Sequence, residues 1–283
     1  MTNVATAAIH RRRVGDIDVT VLSDGYLDAS LEVVRNLPPD PEGLIRRYGG
    51  RVPPRISVNT FLVQSAGRTA VIDTGSGDTM GPTLGQLPRA LAAVAVAPEA
   101  VDTVLLTHMH PDHSNGLADA AGRRLFPNAE VVLHENELPH WFDDAAMARA
   151  PESQRVRYFA AARRQIAPYR DRLKEFRAGE VFPGVTAIPI PGHTPGHTAF
   201  LIASGNESLL VWGDTVHIPE LQVPRPETTM VFDTDPDAAV RSRVRVFDMA
   251  ASENLPVAGM HLHFPGFARM TKSAGNFALV PES

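Results

Sequence analysis

Apolar residues in this chain gather in short runs bounded by glycine, proline or acidic side chains, the signature of strands. Three stretches carry the wider spacing of helices. The first half predicts strands near Arg13–Ser23, Ser57–Val63 and Thr69–Ile72, then a helix near Leu84–Ala95. Val101–Leu106, reading VDTVLL, is expected to be a buried strand, followed by a strand at Glu130–Leu133 and a helical insertion over Leu138–Arg177. The second half predicts strands near Val185–Ile190, Ala199–Ala203 and Leu209–Trp212, and a helix over Pro236–Glu253 that leads into a strand from Val257. Strands interleaved with helices in both halves predict an α/β fold. No linker or low-complexity segment divides the halves, so residues 1–283 are read as one domain with an insertion at about 138–177.

The ends of the apolar runs carry the chemistry. After the VDTVLL strand, Thr107–Gly116 reads THMHPDHSNG and places His108, His110, Asp112 and His113 within six residues. Imidazoles and a carboxylate at this density suit zinc or a similar borderline metal. In an extended backbone His108 and His110 point to one side, so they can share an ion, whereas Asp112 and His113 follow the Pro111 bend and can serve a second. Three more strand ends each deliver a ligand type: His193 in Ile188–His197 (IPIPGHTPGH), Asp214 in Leu209–Asp214 (LLVWGD), and His261 or His263 in Val257–His263 (VAGMHLH).

Composition narrows the chemistry further. The chain is 283 residues long and 43% hydrophobic, enough for a sizeable core, and ligand types from His108 to His261 require both halves to build one site. It has no cysteine, so its metal ligands are nitrogen and oxygen. A net charge of -5 argues against a general nucleic-acid surface. Arg155–Arg177 runs the other way, with eight basic and two acidic residues, and is read as a solvated helix face carrying Tyr158, Phe159, Ile166 and Leu173 on its apolar side. The N-terminus puts its arginines after a weakly apolar stretch, the reverse of a secretory signal, and no run of about 18 apolar residues exists. A cytoplasmic enzyme with no membrane partner is expected.

The ordered set HxHxDH, GHTPGH, WGD and GMH resembles the metallo-β-lactamase superfamily over nearly the whole chain. The resemblance implies an αββα sandwich with a metal site at one edge of two sheets. The stretches Asp18–Gly25, Ser57–Val63, Gly81–Gly85, Trp212–His217 and His261–Gly266 are most similar to the methyl parathion hydrolase branch. That branch lies close to the dinuclear lactonases that open acyl-homoserine lactones. By this resemblance two divalent ions are expected, zinc first, with manganese, cobalt or iron as alternatives. His108, His110 and His193 would bind one, Asp112, His113 and His261 the other, with Asp214 bridging. Asp112 and Asp214 would also act in catalysis. His261 is preferred to His263 because it stands three residues before Phe264-Pro-Gly, where related enzymes carry the ligand; His263 becomes a pocket group. His197 is read as structural, and Asp73 resembles the aspartate that buttresses the histidine loop. His134 and His140 are read as hydrogen-bonded polar residues, and His10 carries no signal. His217 stands where the lactonases place a tyrosine that contacts the substrate carbonyl, a departure that argues against a dedicated homoserine-lactone role.

Two adjacent cations make a bound water acidic near neutral pH and polarise a scissile oxygen, so no serine or cysteine nucleophile is required, and no Gly-x-Ser-x-Gly elbow occurs. Candidate pocket walls are Leu37–Arg55, the insertion with Trp141, Phe142, Tyr158 and Phe159, and Phe264–Phe267. Apolar walls favour a neutral small-molecule ester: an organophosphate triester, an aryl ester or a lactone. A homodimer is allowed. The alternatives are a glyoxalase-II-like thioesterase, for which no basic C-terminal helical region is visible, and a nuclease of the same fold, which would want a basic exosite. A true β-lactamase would lack the bridging aspartate. A non-enzymatic or flavodiiron-type protein would be expected to alter the HxHxDH ligands or append a flavin domain.

Overall fold

The computed structural model describes residues 7–282, so residues 1–6 of the stretch read for a targeting signal lie outside the described residues. Two seven-stranded sheets follow one another in the chain. The first runs β1 (Ile9–Val14), β2 (Ile17–Asp28), β3 (Arg55–Ser65), β4 (Arg68–Ile72), β5 (Thr103–Leu105), β6 (Glu130–His134) and β7 (Leu173–Phe176), each strand beside the next. Its first four strands pair antiparallel and the last three join in parallel. The second sheet contains β8 (Gly179–Phe182), β9 (Val185–Pro189), β10 (Thr198–Ser204), β11 (Glu207–Val211), β12 (Pro256–Ala258), β13 (Phe267–Ser273) and β14 (Asn276–Pro281), again in chain order. Its one parallel pair is β11 with β12.

The sheets stack on a shared core in which Val19, Val21, Phe61 and Ile72 meet Val185, Phe200, Ile202 and Val211. β3 shows why its sequence is almost continuously apolar: Phe61 enters this inner core while its neighbour Leu62 enters an outer cluster with Leu91, Val104 and Ile166. Strands buried on both faces lose the polar alternation. Helix Leu87–Ala93 and the insertion cover the first sheet. Helix Pro236–Ser252 covers the second, placing Val246 and Phe247 beside Leu210, Trp212 and Val257. Helix, sheet, sheet and helix form an αββα sandwich. Among the described residues no helix is long and apolar enough to cross a membrane.

Two expectations from the sequence are overturned. The insertion is helical only in part: short helices at Glu137–Trp141, Asp144–Arg149 and Ala161–Ile166, with a π-helical turn at Arg155–Ala160, end near Pro168, and Leu173–Phe176 is strand β7. Pro168 cannot supply a helical N–H, and the free edge of β6 takes up the segment in parallel register. Leu173 is therefore a sheet residue and not part of a helix face. The first strand, read as Arg13–Ser23, is two strands of a hairpin that turns at Gly15 with φ of 57°. Glycine adopts that conformation without steric cost.

Strands β9, β11 and β12 run in one direction, because β9 and β11 each pair antiparallel with β10 and β12 pairs parallel with β11. The loops that follow them, bearing His193, Asp214 and His261, therefore leave one edge of the second sheet. The loop after β5 meets them from the first sheet: Thr198 N–H donates to the carbonyl of Thr107 at 3.0 Å.

Candidate metal centre

Four histidines of this edge, His108, His113, His193 and His261, are each held by an acceptor behind the ring. Asp73, at the end of β4 with φ of 60°, accepts from the N–H of Thr107 at 2.8 Å and from its hydroxyl at 2.7 Å. Its Oδ2 also lies 2.7 Å from Nδ1 of His113. With its proton given to Asp73, the Thr107 oxygen can accept from Nδ1 of His108, 3.0 Å away. Nδ1 of His193 donates to Asp233 Oδ1 at 2.7 Å, and Nδ1 of His261 to the Ser57 carbonyl at 2.7 Å. In β3, Asn59 secures the last loop by donating to the carbonyls of Gly259 and Leu262 at 3.1 and 2.8 Å.

This network assigns the tautomers, since a neutral imidazole that donates from Nδ1 presents a bare lone pair at Nε2. His108, His113, His193 and His261 all present Nε2 inward. Nε2 of His108 and His193 are 3.1 Å apart, with Nδ1 of His110 at 3.0 and 2.8 Å from them. Asp214 Oδ2 sits 3.1 Å from Nε2 of His193 and 3.2 Å from Nε2 of His261, while Oδ1 is 3.2 Å from Nε2 of His113. Oδ1 and that Nε2 are buried with no hydrogen-bond partner. Converging lone pairs facing a carboxylate demand positive charge between them. The donor set, nitrogen and oxygen only, fits divalent transition metals.

The seven side chains singled out from the sequence fall into two neighbouring groups. Ligating atoms of His108, His110, His193 and Asp214 lie within 4.8 Å of one another, as do those of Asp112, His113 and His261. Asp112 Oδ2 is 3.5 Å from Nε2 of His261. His263 stands apart, half exposed and paired with Glu220. His197 lies at the cluster but spends both nitrogens on backbone, Nδ1 on the Ile190 carbonyl and Nε2 on the N–H of Asp214, at 3.2 and 2.9 Å. His217 approaches Asp214 Oδ2 at 3.1 Å through Nε2, stacks on His261, and has no partner for Nδ1. A third grouping of Asp214, His217 and His261 is also compact enough for a metal.

Charge balance follows from burial and these contacts. Burial, reinforced by the neighbouring imidazoles, pushes His108 and His110 well below the usual histidine range. Burial takes His197 to about 3 and His217 to about 4. Burial opposes a charge on His193 as well, yet its contacts with Asp214 and Asp233 raise it to about 9. For His113 and His261 the Asp214 charge likewise overcomes burial, and both are raised. Asp214 stays well below the carboxylate range despite burial, held there by His113 and His261. Positive charge at the centre, whether protons or a metal cation, is thus favoured.

Three contributors carried no signal strong enough to find in the sequence. Asp233 follows no motif, and its role appears only when its loop meets His193. Phe232 packs edge-on to His110 and His193 and against His217. Glu137, fully buried, accepts from Met109 N–H, the Trp141 indole, the Thr194 hydroxyl and Gly196 N–H. An indole that must find a partner four residues away was the one hint. Beside the centre, a cleft of about 300 Å³ is lined by His110, His140, Trp141, Tyr158, Phe159 and Phe232, among others. Of the expected walls, the insertion supplies this cleft, while Tyr48 and Phe267 line a separate one with His263.

A sequence profile of the metallo-beta-lactamase superfamily matches residues 53–261. The chain is 32% identical to a solved hydrolase of the beta lactamase superfamily, AbOPH, over 98% of each chain, with a TM-score of 0.91. It shares its fold with AidC, a dizinc quorum-quenching lactonase in complex with a product, at 24% identity over 98% of each chain and a TM-score of 0.86. Over 63% of its length it is 25% identical to an atrochrysone carboxyl ACP thioesterase of Passalora fulva. The chain spans less than two thirds of the curated relatives it matches, and 45% of this one.

Proposed function

This chain belongs to the metallo-beta-lactamase superfamily, and we propose that within it the protein is a dinuclear metal-dependent hydrolase of neutral esters, similar to the methyl parathion hydrolase branch. His108, His110 and His193 would hold one ion, Asp112, His113 and His261 the second, and Asp214 would bridge them. The observation that carries this reading is the inward turn of four Nε2 lone pairs around the Asp214 carboxylate. When bound, such ions supply an acidified water and a Lewis acid for the scissile oxygen.

The protein's own part is positioning. Asp73 and Asp233 fix ring orientation from behind, which strengthens the imidazoles as ligands. Asp112, the more exposed carboxylate of the cluster, is placed to accept and return a proton during ester cleavage. The cleft beside His110 is mixed rather than apolar as expected: the rings of Tyr158 and Phe232 share its wall with His140, Gln154 and Thr234, a lining that would take aryl esters, lactones and organophosphate triesters. Metal-replete protein assayed on phenyl acetate, a lactone, a paraoxon-like triester, an acyl thioester, nitrocefin and RNA is expected to hydrolyse the first three. Turnover confined to nitrocefin or RNA would defeat the proposal.

A second reading, thioester hydrolysis, draws on the similarity to the carrier-protein thioesterase. Preference for the acyl thioester over every oxygen ester in the same panel would favour it.

A further inference from the structure

Tyr158 projects from the π-helical turn Arg155–Ala160, an irregularity that occurs often at functional sites. Its ring lies 5.1 Å from that of His110 and lines two clefts, one with Trp141 and Phe232, the other with Pro111 and Asn115 of the metal loop. Among the described residues no group donates to its hydroxyl or accepts from it. The insertion's other tyrosine behaves differently: Tyr169 is fully buried, accepts from Phe126 N–H at 3.1 Å and donates to the Leu117 carbonyl at 2.9 Å. A half-buried phenol with an idle O–H, at the junction of both clefts, has its hydrogen-bonding capacity free for a ligand.

A phenol keeps its proton at neutral pH, so Tyr158 is available as a donor. His217 is no substitute, since its Nε2 faces Asp214 and it lines neither cleft. We propose that Tyr158 is a catalytic residue whose phenolic O–H donates a hydrogen bond to the acyl oxygen of the bound ester. The bond strengthens as negative charge builds on that oxygen during attack, and the phenol keeps its proton throughout. This rests on the ester-hydrolase reading given above.

Tyr158→Phe keeps the ring against His110 and removes only the donor. On phenyl acetate and on δ-valerolactone it is expected to lower kcat by about 10²-fold with little change in KM, the loss typical of a donor to a developing oxyanion. Metal content and Tm should match the wild type. Tyr169→Phe should instead lower Tm and spare kcat. A Tyr158→Phe variant within about threefold of wild-type kcat, or one that loses its metal, would overturn the proposal. A wild-type protein inactive on both esters would instead overturn the ester reading beneath it.

Discussion

Glu137 accepts from the backbone N–H of Met109 at 2.9 Å, so a carboxylate from the insertion stands directly behind the loop that carries His108 and His110. The same carboxylate takes the N–H of Gly196 at 3.0 Å, beside His193. One buried group therefore ties two histidine loops to the insertion that walls the cleft. Glu137→Ala would strand four buried donors, each costing about 1–3 kcal/mol when unsatisfied. Urea denaturation is expected to show a loss of at least about 3 kcal/mol for this variant, with weakened metal uptake. Glu137→Gln should be milder. An alanine variant as stable as the wild type would show that the clamp contributes nothing.

Metal stoichiometry separates the ligand assignments. Elemental analysis of replete protein is expected to give two ions per chain, and Asp214→Ala should remove at least one of them together with turnover. His261, with its Nδ1 on Ser57 and its Nε2 turned to Asp214, should matter more than His263, which faces Glu220. His261→Ala should therefore lose more metal than His263→Ala. The opposite order would transfer the ligand role to His263.

The histidine-loop motif was legible because six residues carried four candidate ligands behind a strand, and local chemistry dense enough to read needs no knowledge of the fold. His193, Asp214 and His261 were legible as strand ends, since an apolar run stopping at a histidine or aspartate marks a sheet edge. Asp233 and Phe232 were not, because nothing local distinguishes them and their partners arrive from distant loops. β7 was hidden for a related reason: Leu173–Phe176 has helix-compatible residues, and only the free edge of β6 makes it a strand.

Protons and the proposed metal ions would compete for the same nitrogens. His193 is raised from 6.5 to about 9 by carboxylate contacts that overcome burial. Its protonated form therefore stabilises the metal-free fold fully below 6.5, and that contribution is lost as pH rises through about 9. A metal needs the same Nε2 bare, so apparent affinity should climb with pH across this window and uptake at neutral pH should release protons. Calorimetry of zinc binding in two buffers of different ionisation enthalpy measures that release. Equal heats in both buffers would refute the competition.

Breadth of substrate use follows from how the site's charges are spent. Asp73, Asp233 and Glu137 are each consumed behind a histidine loop, and the cleft beside His110 offers Trp141, Phe159, Phe232, Ala146 and Ala150. His140, Gln154, Thr234 and the exposed Arg149 line it as well. Asp233 is taken up by His193 and Arg149 is exposed, so discrimination is expected to rest largely on shape and leaving-group quality, and single apolar contacts discriminate by only about 1–3 kcal/mol. Aryl-ester, lactone and phosphotriester activities are expected to coexist within a few orders of magnitude in kcat/KM, to vanish together on chelation and to return together with metal. If one acyl-homoserine lactone were turned over near the diffusion limit while the other classes stayed negligible, the cleft would have to contain a specific anchor, and the broad-esterase reading would fail.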